Sequence, residues 1–388
     1  MGWSDRLDPE KAPGTLLKTA DGAEAYFPHP LPSGLDLPQD LHRLIGRARG
    51  KLGELQGIGT LSTNPALFVN SFQAREAAAS SRIEGTKTTD EEALAHQVIK
   101  VETQDEEDSE EVNNYLRALR QGVAALRSGR RLNRGMIIEL HSTLLQGVRG
   151  QKAKPGQLRD VQNFVGVDTI HNARFVPPPA IHVTSCLEDL QRYIDGPSQD
   201  DPLVRAALVH YQFETIHPFE DGNGRVGRLI VALQTIQEGL QQEPLLYVSS
   251  RLEANREEYY DHLLAVSLRG GFHAWIEFFV KAMLSSAEET TKKIRQLIAT
   301  VRQLDEKVAP CKTPGPQRLL RALSETPFMT VKDAQKVLGS SNAVASEAVR
   351  ALEELKVLTR ARFKVKRTGR GRPPALYYCQ DLVNILTE

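Results

Sequence analysis

The sequence has few cysteines and no long apolar run. Its three cysteines are scattered over 388 residues without CxxC spacing, which argues against a disulfide framework and a structural zinc site. No segment approaches the roughly 18–20 uninterrupted apolar residues that a membrane helix needs. The N-terminal residues lack the apolar stretch of a secretory signal. These absences predict a protein of the reducing cytoplasm with no membrane partner.

Charge is balanced over the whole chain but not along it. The formal net charge is zero, yet residues 311–388 hold 14 Lys+Arg against 7 Asp+Glu. A chain of 388 residues exceeds one ordinary core of about 100–200 residues, so two or three domains are expected. Pro310, Pro314 and Pro316 follow a long helical pattern and predict the boundary of a basic C-terminal unit.

Helical periodicity dominates the chain before that boundary. Apolar residues recur at three- and four-residue steps over 112–126, 137–145 and 203–211. We expect Asp108 or Ser109 to cap the first of these helices, and the acidic run from Glu102 to Glu111 to form a solvated loop and helix start. The pattern predicts a mainly α protein.

One segment departs from this helical pattern. Residues 162–176 are rich in β-type residues around Gly166 and contain the turn candidate His171-Asn172. Three prolines follow at 177–179, where a helix cannot continue. We therefore predict a short β-hairpin flap over residues 162–179.

Twelve residues from His217 to Arg228, HPFEDGNGRVGR, form a dense cluster of chemically useful groups. Gly222, Asn223 and Gly224 stand at the start of a periodic helix. Glycines allow successive backbone N–H groups to turn toward an anion, and the N-terminus of a helix adds the positive end of its dipole. The pattern predicts a phosphate-binding loop.

Side chains in the same segment indicate a magnesium nucleotide. Arg225 and Arg228 lie three residues apart and can clamp a polyphosphate. Asp221 offers the hard oxygen ligand that Mg²⁺ prefers, whereas Phe219 is expected to pack inward. His217 can accept a proton from an incoming hydroxyl, because histidine titrates near neutral pH. We predict ATP as substrate, Mg²⁺ as cofactor and His217 as the catalytic base.

Every specified position of HPFx(D/E)GNGRxxR, the pattern that defines the Fic family, is matched from His217 to Arg228, and the sequence therefore resembles that family. The resemblance extends to Pro155-Gly-Gln-Leu-Arg159 and covers roughly residues 55–285. It implies transfer of AMP from ATP to a Ser, Thr or Tyr hydroxyl of a protein target or of the chain itself. It also implies that the flap docks an extended segment of that target.

The resemblance assigns roles to single residues. The implied phosphate ligands are Gly222, Asn223, Gly224, Arg225 and Arg228, with Asp221 on Mg²⁺. Asn255 and Tyr260 resemble the stretch that lines the adenosine pocket of the family. A core role for Tyr259 and Tyr260 is an open alternative.

A second pattern concerns regulation. Ser80-Ser-Arg-Ile-Glu84-Gly85 fits the family's inhibitory motif (S/T)xxxE(G/N), on an expected helix of about residues 73–85. The resemblance implies that Glu84 pairs with Arg228 and keeps the γ-phosphate of ATP from a productive position. An acid in the last turn opposes the helix dipole, which is consistent with a partner elsewhere.

Residues 311–388 resemble a winged helix-turn-helix. Three helical patterns precede two strand patterns, and the first strand pattern and the turn after it hold seven cations without an acid. These cations are Arg360, Arg362, Lys364, Lys366, Arg367, Arg370 and Arg372. Such a patch suits a DNA backbone, but the acids of the third helix, Glu347, Glu353 and Glu354, would repel it. DNA binding and protein contacts both stay open.

The predicted organisation is a helical region with an inhibitory helix (1–100), a Fic-type helical core with its flap (101–285), a helical linker (286–310) and the winged unit (311–388). Three alternatives to AMP addition stay open: removal of AMP through water activated by Glu84, transfer of another nucleotide or a phosphate, and a nucleotide-sensing DNA-binding regulator. Kinases related to the family replace Gly224 by Lys and lack Arg228, so these two residues argue against phosphate transfer. A homodimer is also left open.

Overall fold

The computed structural model describes residues 2–61, 66–99, 106–148, 153–166, 169–363, 365 and 373–388. These residues are mainly helical, which confirms the predicted fold class. The helices are α1 (Gln39–Leu61), α2 (Ala66–Ile83), α3 (Asp90–His96), α4 (Glu106–Arg127), α5 (Arg134–Leu144), α6 (Val183–Asp195), α7 (Pro202–Ile216), α8 (Asn223–Gln237), α9 (Ser249–Ala254), α10 (Arg256–Arg269), α11 (Phe272–Val308), α12 (Gly315–Glu325), α13 (Val331–Leu338), α14 (Asn342–Glu354) and α15 (Gln380–Thr387). No helix of the described ranges is both long enough and apolar enough to cross a bilayer.

Five short strands accompany these helices. β1 (Gly14–Lys18) and β2 (Glu24–Pro28) form an antiparallel hairpin with Gly14 opposite Pro28. The strands β3 (Phe328–Thr330), β4 (Thr359–Arg360) and β5 (Leu376–Tyr378) form a second antiparallel sheet in the order β3-β5-β4. The first hairpin lies in a region expected to be helical, and its five-residue strands carry too few alternations to identify a sheet by pattern alone.

The chain forms two compact units that alternate along the sequence. The first combines Met1–Gly53 with Asn114–Ala287, and the second combines Glu54–Asn113 with Glu288–Glu388. The sequence analysis predicts consecutive domains instead, and the bounds of those domains stay predictions.

Helix α7 forms the centre of the first unit. All of its residues except Pro202 and Glu214 are buried, and it contacts α6, α8 and α10. A helix that is buried on nearly all sides belongs to a core, and the Asp201 carboxylate caps its start by accepting from the Leu203 N–H at 2.9 Å. Because α7 is buried, the position of its last residue, Ile216, is fixed, and so is that of His217 directly after it.

The expected start of α4 is wrong. The helix begins at Glu106, two residues before the predicted cap, and Asp108, Ser109 and Glu111 are buried instead of solvated. The Asp108 carboxylate accepts a hydrogen bond from the Lys87 N–H at 2.7 Å, a tertiary contact that the local sequence does not reveal.

The predicted flap is less regular than a hairpin. Its pairing in the described residues is one antiparallel bridge between Val165 and Phe175, with a 3-10 turn at Ile170–Asn172 where the turn was expected. Residues 167–168 lie outside the described part of the chain. The Tyr26 N–H of β2 donates to the Val176 carbonyl at 2.9 Å, so the flap base continues into the N-terminal hairpin.

The second unit contains α2 and the C-terminal elements. α2 contacts α3 and α12, and α13 and α14 pack together next to α12. The element order over 315–378 is helix, strand, helix, helix, strand, strand, with β5 between β3 and β4. Residues 364 and 366–372, which carry most of the expected wing cations, lie outside the described residues, so the winged-helix assignment stays a prediction.

Candidate active site

His217 occupies the turn directly after α7. Its φ and ψ of 50° and 59° are left-handed, a conformation that few residues other than glycine adopt. The His217 Nδ1 lies 3.2 Å from the Glu214 carbonyl oxygen. Because a carbonyl only accepts hydrogen bonds, Nδ1 carries the proton, and the basic lone pair of the neutral ring is on Nε2. This tautomer is the one that a general base acting through Nε2 requires.

The loop between His217 and α8 is closed by a reciprocal pair of hydrogen bonds. The Phe219 N–H donates to Asn223 Oδ1 at 2.9 Å, and Asn223 Nδ2 donates to the Phe219 carbonyl at 2.9 Å. Phe219 is fully buried, as predicted. The Asn223 amide thus shapes the loop, and its implied contact with phosphate stays a prediction.

Helix α8 begins with its N-terminus at this loop. Gly222 precedes it with φ 78°, and a Cβ there would lie 3.4–3.6 Å from Leu144, Leu145 and His141. Positive φ favours glycine, so the sequence permits the turn that brings the first N–H groups of α8, including that of Gly224, to the loop. Such a helix start favours a bound anion.

Two arginines and one aspartate surround that helix start. Arg225 and Arg228 are buried, whereas the Asp221 side chain is half exposed. The Asp221 Oδ1 accepts from the Gly222 N–H at 2.6 Å and lies 3.8 Å from Arg225 Nη2. Buried cations next to a helix N-terminus make this end of the loop electropositive.

The donor set fits a magnesium ion that arrives with a nucleotide. The described residues contain no group of three or more acidic, His or Cys side chains that could enclose a metal. Mg²⁺ commonly keeps several waters and binds through one or two carboxylates plus substrate phosphates. The exposed Asp221 carboxylate meets that requirement.

The His141 side chain packs against the loop and holds it in place, a structural role that the sequence analysis did not predict. Its ring stacks on Phe219 at 3.7 Å between centroids, with 10° between the planes. The Nε2–H donates to the Asp221 carbonyl at 3.1 Å, and Nδ1 accepts from the Gly156 N–H at 2.9 Å. Burial lowers the pKa of His141 to about 4, so the ring is neutral and can accept at Nδ1.

Two family models match the chain around this site. The model described as Fic/DOC family N-terminal matches residues 42–124, and the model described as Fic/DOC family matches residues 131–235, which include the whole loop. The residues matched by these models belong to the Fic/DOC family. The curated relatives of this Fic chain include protein adenylyltransferase fic-1 of Caenorhabditis elegans, 31% identical over 147 residues, and protein adenylyltransferase Fic of Drosophila melanogaster, 26% identical over 188 residues.

Those alignments cover part of each protein. They span 37% and 46% of this Fic chain, and 26% and 35% of the worm and fly proteins. A solved Fic family protein from Desulfovibrio desulfuricans G20 covers 90% of this chain and 98% of its own, with a TM-score of 0.57 and 21% identity. In its two solved forms, Fic-1 from C. elegans covers 65% and 67% of this chain and 71% and 74% of its own, with a TM-score of 0.51. These likenesses show the Fic fold.

The two residues expected at the adenosine pocket, Asn255 and Tyr260, differ from each other in their surroundings. Asn255 is exposed, and its Nδ2 donates to the Arg251 carbonyl at 2.8 Å. Tyr260 is half-buried beneath the guanidinium groups of Arg174 and Arg256, at 5.5 and 5.8 Å from the ring centroid. Tyr259 is a core residue. The nucleotide roles of Asn255 and Tyr260 stay predictions.

The inhibitory motif lies at the end of α2 in the second unit. Ser80 is fully buried in the helix, and Glu84 follows Ile83 in an exposed turn with its N–H donating to the Ser81 carbonyl at 3.0 Å. Gly85 has φ 103°, which a helix-ending glycine allows. The helix ends at Ile83, one residue before Glu84, and the inhibitory roles of Glu84 and Ser80 stay predictions.

Proposed function

We propose that this protein transfers AMP from ATP to a Ser, Thr or Tyr hydroxyl of a protein target, or of itself. The observation that carries the proposal is the contact of His217 Nδ1 with the Glu214 carbonyl, which leaves Nε2 as the basic nitrogen in the same loop as the electropositive start of α8. A base and a polyphosphate site in one loop are the two parts that nucleotidyl transfer to a hydroxyl needs.

The proposed reaction balances at the α-phosphorus of ATP. The hydroxyl oxygen forms a bond to the α-phosphorus, the bond from that phosphorus to the bridging oxygen breaks, and pyrophosphate leaves. His217 Nε2 receives the hydroxyl proton as the attack proceeds. Arg225, Arg228 and the N–H groups of Gly222 and Gly224 hold the phosphates in this proposal. Mg²⁺, held by Asp221, would neutralise phosphate charge when it is bound.

The flap of residues 162–179 is the proposed dock for the target. Large apolar side chains are exposed at its two ends, with Val161 at 50%, Phe164 at 37% and Ile181 at 85% exposure. Exposed apolar side chains beside an extended segment favour a partner that adds a strand and fills pockets with alternate side chains. These exposures support an extended protein segment as the acceptor.

Glu84 is proposed to keep the native chain mostly inactive by competing with the γ-phosphate for Arg228. The match of the inhibitory motif and the position of Glu84 directly after α2 support this. The same site could remove AMP if Glu84 activated water, so the direction of transfer is part of the test.

The proposal is tested with α-labelled ATP and Mg²⁺ on purified protein and on a lysate. We expect little label from the native chain, strong label from Glu84→Gly and none from Glu84→Gly combined with His217→Ala. Asp36→Gly and His273→Ala change an exposed acid and an exposed histidine, and serve as controls that leave labelling unchanged. Equal labelling by the native and Glu84→Gly proteins would refute inhibition by Glu84. Labelling that survives His217→Ala would refute the base. Loss of label from a premodified protein would favour AMP removal.

A further inference from the structure

We propose that Arg159 is a positioning residue that joins the loop of His217 to both ends of the flap. The proposal deepens the adenylyl transfer above and rests on it for its functional consequence. Sequence reasoning quoted Arg159 as part of the family resemblance but gave it no role.

The Arg159 guanidinium group donates hydrogen bonds to carbonyls of both the loop and the flap. Arg159 Nε donates to the His217 carbonyl at 2.8 Å, and Nη2 donates to the carbonyls of Ile216 at 3.3 Å and Pro178 at 2.6 Å. Nη1 donates to the Val161 carbonyl at 3.2 Å. The Arg159 side chain therefore touches the end of α7, the base residue itself and the two borders of the flap.

The main chain of the same residue adds a further connection. The Arg159 N–H donates to the Pro218 carbonyl at 2.9 Å, so carbonyls of three consecutive residues from Ile216 to Pro218 accept hydrogen bonds from Arg159. Asn163 Nδ2 reinforces the link by donating to the Phe219 carbonyl at 3.0 Å. The flap and the loop thus share hydrogen bonds that fix their register.

Arginine suits this position better than lysine would. Its planar fork offers five N–H donors in fixed directions, which can serve carbonyls on several sides at once. The residue is 3% exposed, and burial lowers the pKa of Arg159 to about 10, which still leaves it protonated near neutral pH. A cation at the carbonyl end of α7 is also favoured by the helix dipole.

These contacts explain how a non-glycine residue keeps a left-handed backbone at the base. The left-handed conformation of His217 is unfavourable for a residue other than glycine when nothing compensates it. Arg159 holds the carbonyls on both sides of the His217 α-carbon and thereby stabilises it. Because the same group holds Val161 and Pro178, a hydroxyl presented along the flap would meet Nε2 in a fixed register.

The first test compares hydrogen–deuterium exchange in the full-length native protein with Arg159→Lys and Arg159→Ala. We expect faster exchange in peptides covering 161–166, 175–180 and 213–223, with unchanged exchange in peptides from α14, which lies in the other unit. Unchanged exchange in the loop and flap peptides of both variants would overturn the proposal. So would an increase of equal size throughout the first unit, since that would mean a general packing role.

The second test separates positioning from binding. In the Glu84→Gly background, Arg159→Lys should lower the rate of self-labelling from α-labelled ATP about 100-fold, because an error of about 1 Å in the reacting geometry has that effect. The KM for ATP should change less than about threefold, since His141 and Asn223 hold the phosphate end of the loop. A rise in the KM for ATP as large as the loss of transfer rate would contradict a positioning role.

Chemical rescue gives a third readout. Millimolar guanidinium chloride should restore part of the transfer by Arg159→Ala, whereas His217→Ala should stay inactive under the same conditions. Absence of any rescue, together with unchanged exchange, would overturn the proposal. If the Glu84→Gly parent transfers no label, the proposed function fails, but the exchange experiment still decides whether Arg159 holds the loop.

Discussion

Two buried histidines adjoin the candidate site in the first unit. Burial lowers the pKa of His141 to about 4, and burial together with the nearby Arg228 charge lowers the pKa of His210 to about 3. His210 Nε2 lies 2.8 Å from the Tyr259 hydroxyl. Both rings are therefore neutral parts of the hydrogen-bonded core at pH 7, and neither is a second titrating base.

These histidines predict acid sensitivity. The unfolded chain binds more protons than the folded chain between the ordinary histidine pKa of about 6.5 and the lowered values, so stability falls as pH falls through that window. Each histidine should remove about 2 kcal/mol from the free energy of unfolding between pH 7.5 and 5. Urea unfolding at the two pH values measures this change. A His141→Gln variant should lose its share of the dependence, and an unchanged dependence would contradict the account.

Gly227 allows α7 and α8 to approach closely. A Cβ on Gly227 would lie 2.2 Å from Glu214 Oε1 and 3.2 Å from His210 Cε1. Gly227→Ala should therefore lower the free energy of unfolding by about 1–3 kcal/mol and lower transfer activity, because overpacking displaces α8. Gly50→Ala is the matched control: Gly50 lies in α1 with open space around its Cβ position, so stability should rise by up to about 1 kcal/mol. Equal effects of the two substitutions in urea unfolding would refute the close-approach argument.

Candidate site residues that are consecutive in the chain could be predicted from the sequence, whereas those that only folding brings together could not. His217 to Arg228 could be recognised because chemistry and spacing lie in twelve adjacent positions. Arg159 reaches carbonyls 57 and 58 positions away, and His141 reaches one 80 positions away. A buried arginine that donates only to carbonyls leaves no charge partner in the sequence to point to it.

The N-terminal hairpin is the element that supports the flap. Trp3 and Tyr26 contact Phe175 at ring-centroid distances of 5.2 and 5.7 Å, and Val176 belongs to the same buried cluster. The matched family models begin at residue 42, so this hairpin lies outside them. We conclude that the flap base depends on residues that the family pattern does not contain.

Trp3→Ala should therefore loosen the flap. Loss of a buried tryptophan costs roughly 3 kcal/mol when it opens a cavity, and the flap strand at Phe175 would lose a packing partner. We expect a higher KM for the protein target and little change in the KM for ATP, measured in the Glu84→Gly background. Val344→Ala, at an exposed position in the other unit, is the control and should change neither value. An equal rise in both KM values after Trp3→Ala would contradict this role.

Ion pairs hold the end of the proposed inhibitory helix. Arg82 Nη1 lies 2.8 Å from Asp90 Oδ1, and Arg75 Nε lies 3.1 Å from Asp90 Oδ2, so Asp90 at the start of α3 binds two arginines of α2. The Arg82 guanidinium also donates to the Thr88 carbonyl at 3.1 Å. These contacts fix the turn that contains Glu84.

Asp90→Asn should release that turn. Weakening two charged hydrogen bonds should lower the free energy of unfolding by about 2–3 kcal/mol. If Glu84 inhibits, the otherwise native chain should gain labelling with α-labelled ATP and approach the Glu84→Gly protein. Asp40→Asn removes an exposed pair with Arg43 and should change stability by no more than about 0.5 kcal/mol. Destabilisation by Asp90→Asn without any gain of labelling would argue against a link between this corner and inhibition.

Elements with a strong helical period were predictable, and short or tertiary-dependent ones were not. The periodic segments 112–126, 137–145 and 203–211 were expected to be helical, and they correspond to α4, α5 and α7. The hairpin β1-β2 and the early start of α4 were missed, because five-residue strands and a buried Asp108 are stabilised by distant contacts rather than by local preference. The flap was expected as a hairpin, and its described pairing is a single bridge.

At the scale of the whole molecule, the chain carries a Fic fold together with a basic C-terminal region. Five of the seven cations expected on the wing, Lys364, Lys366, Arg367, Arg370 and Arg372, lie outside the described residues, so DNA binding stays a prediction. A gel-shift assay of the full-length chain with duplex DNA over a salt series tests it. Binding that weakens steeply with salt would support phosphate contacts, and no binding at low salt would exclude them.

The loop from His217 to Arg228 is proposed to be the site of AMP transfer. The most direct measurement incubates the Glu84→Gly protein with ATP labelled either at the α-phosphate or at the γ-phosphate, and counts label on protein and pyrophosphate released. We predict label on protein from α-labelled ATP alone, with one pyrophosphate released for each AMP transferred. Label on protein from γ-labelled ATP, or release of inorganic phosphate in place of pyrophosphate, would contradict the account.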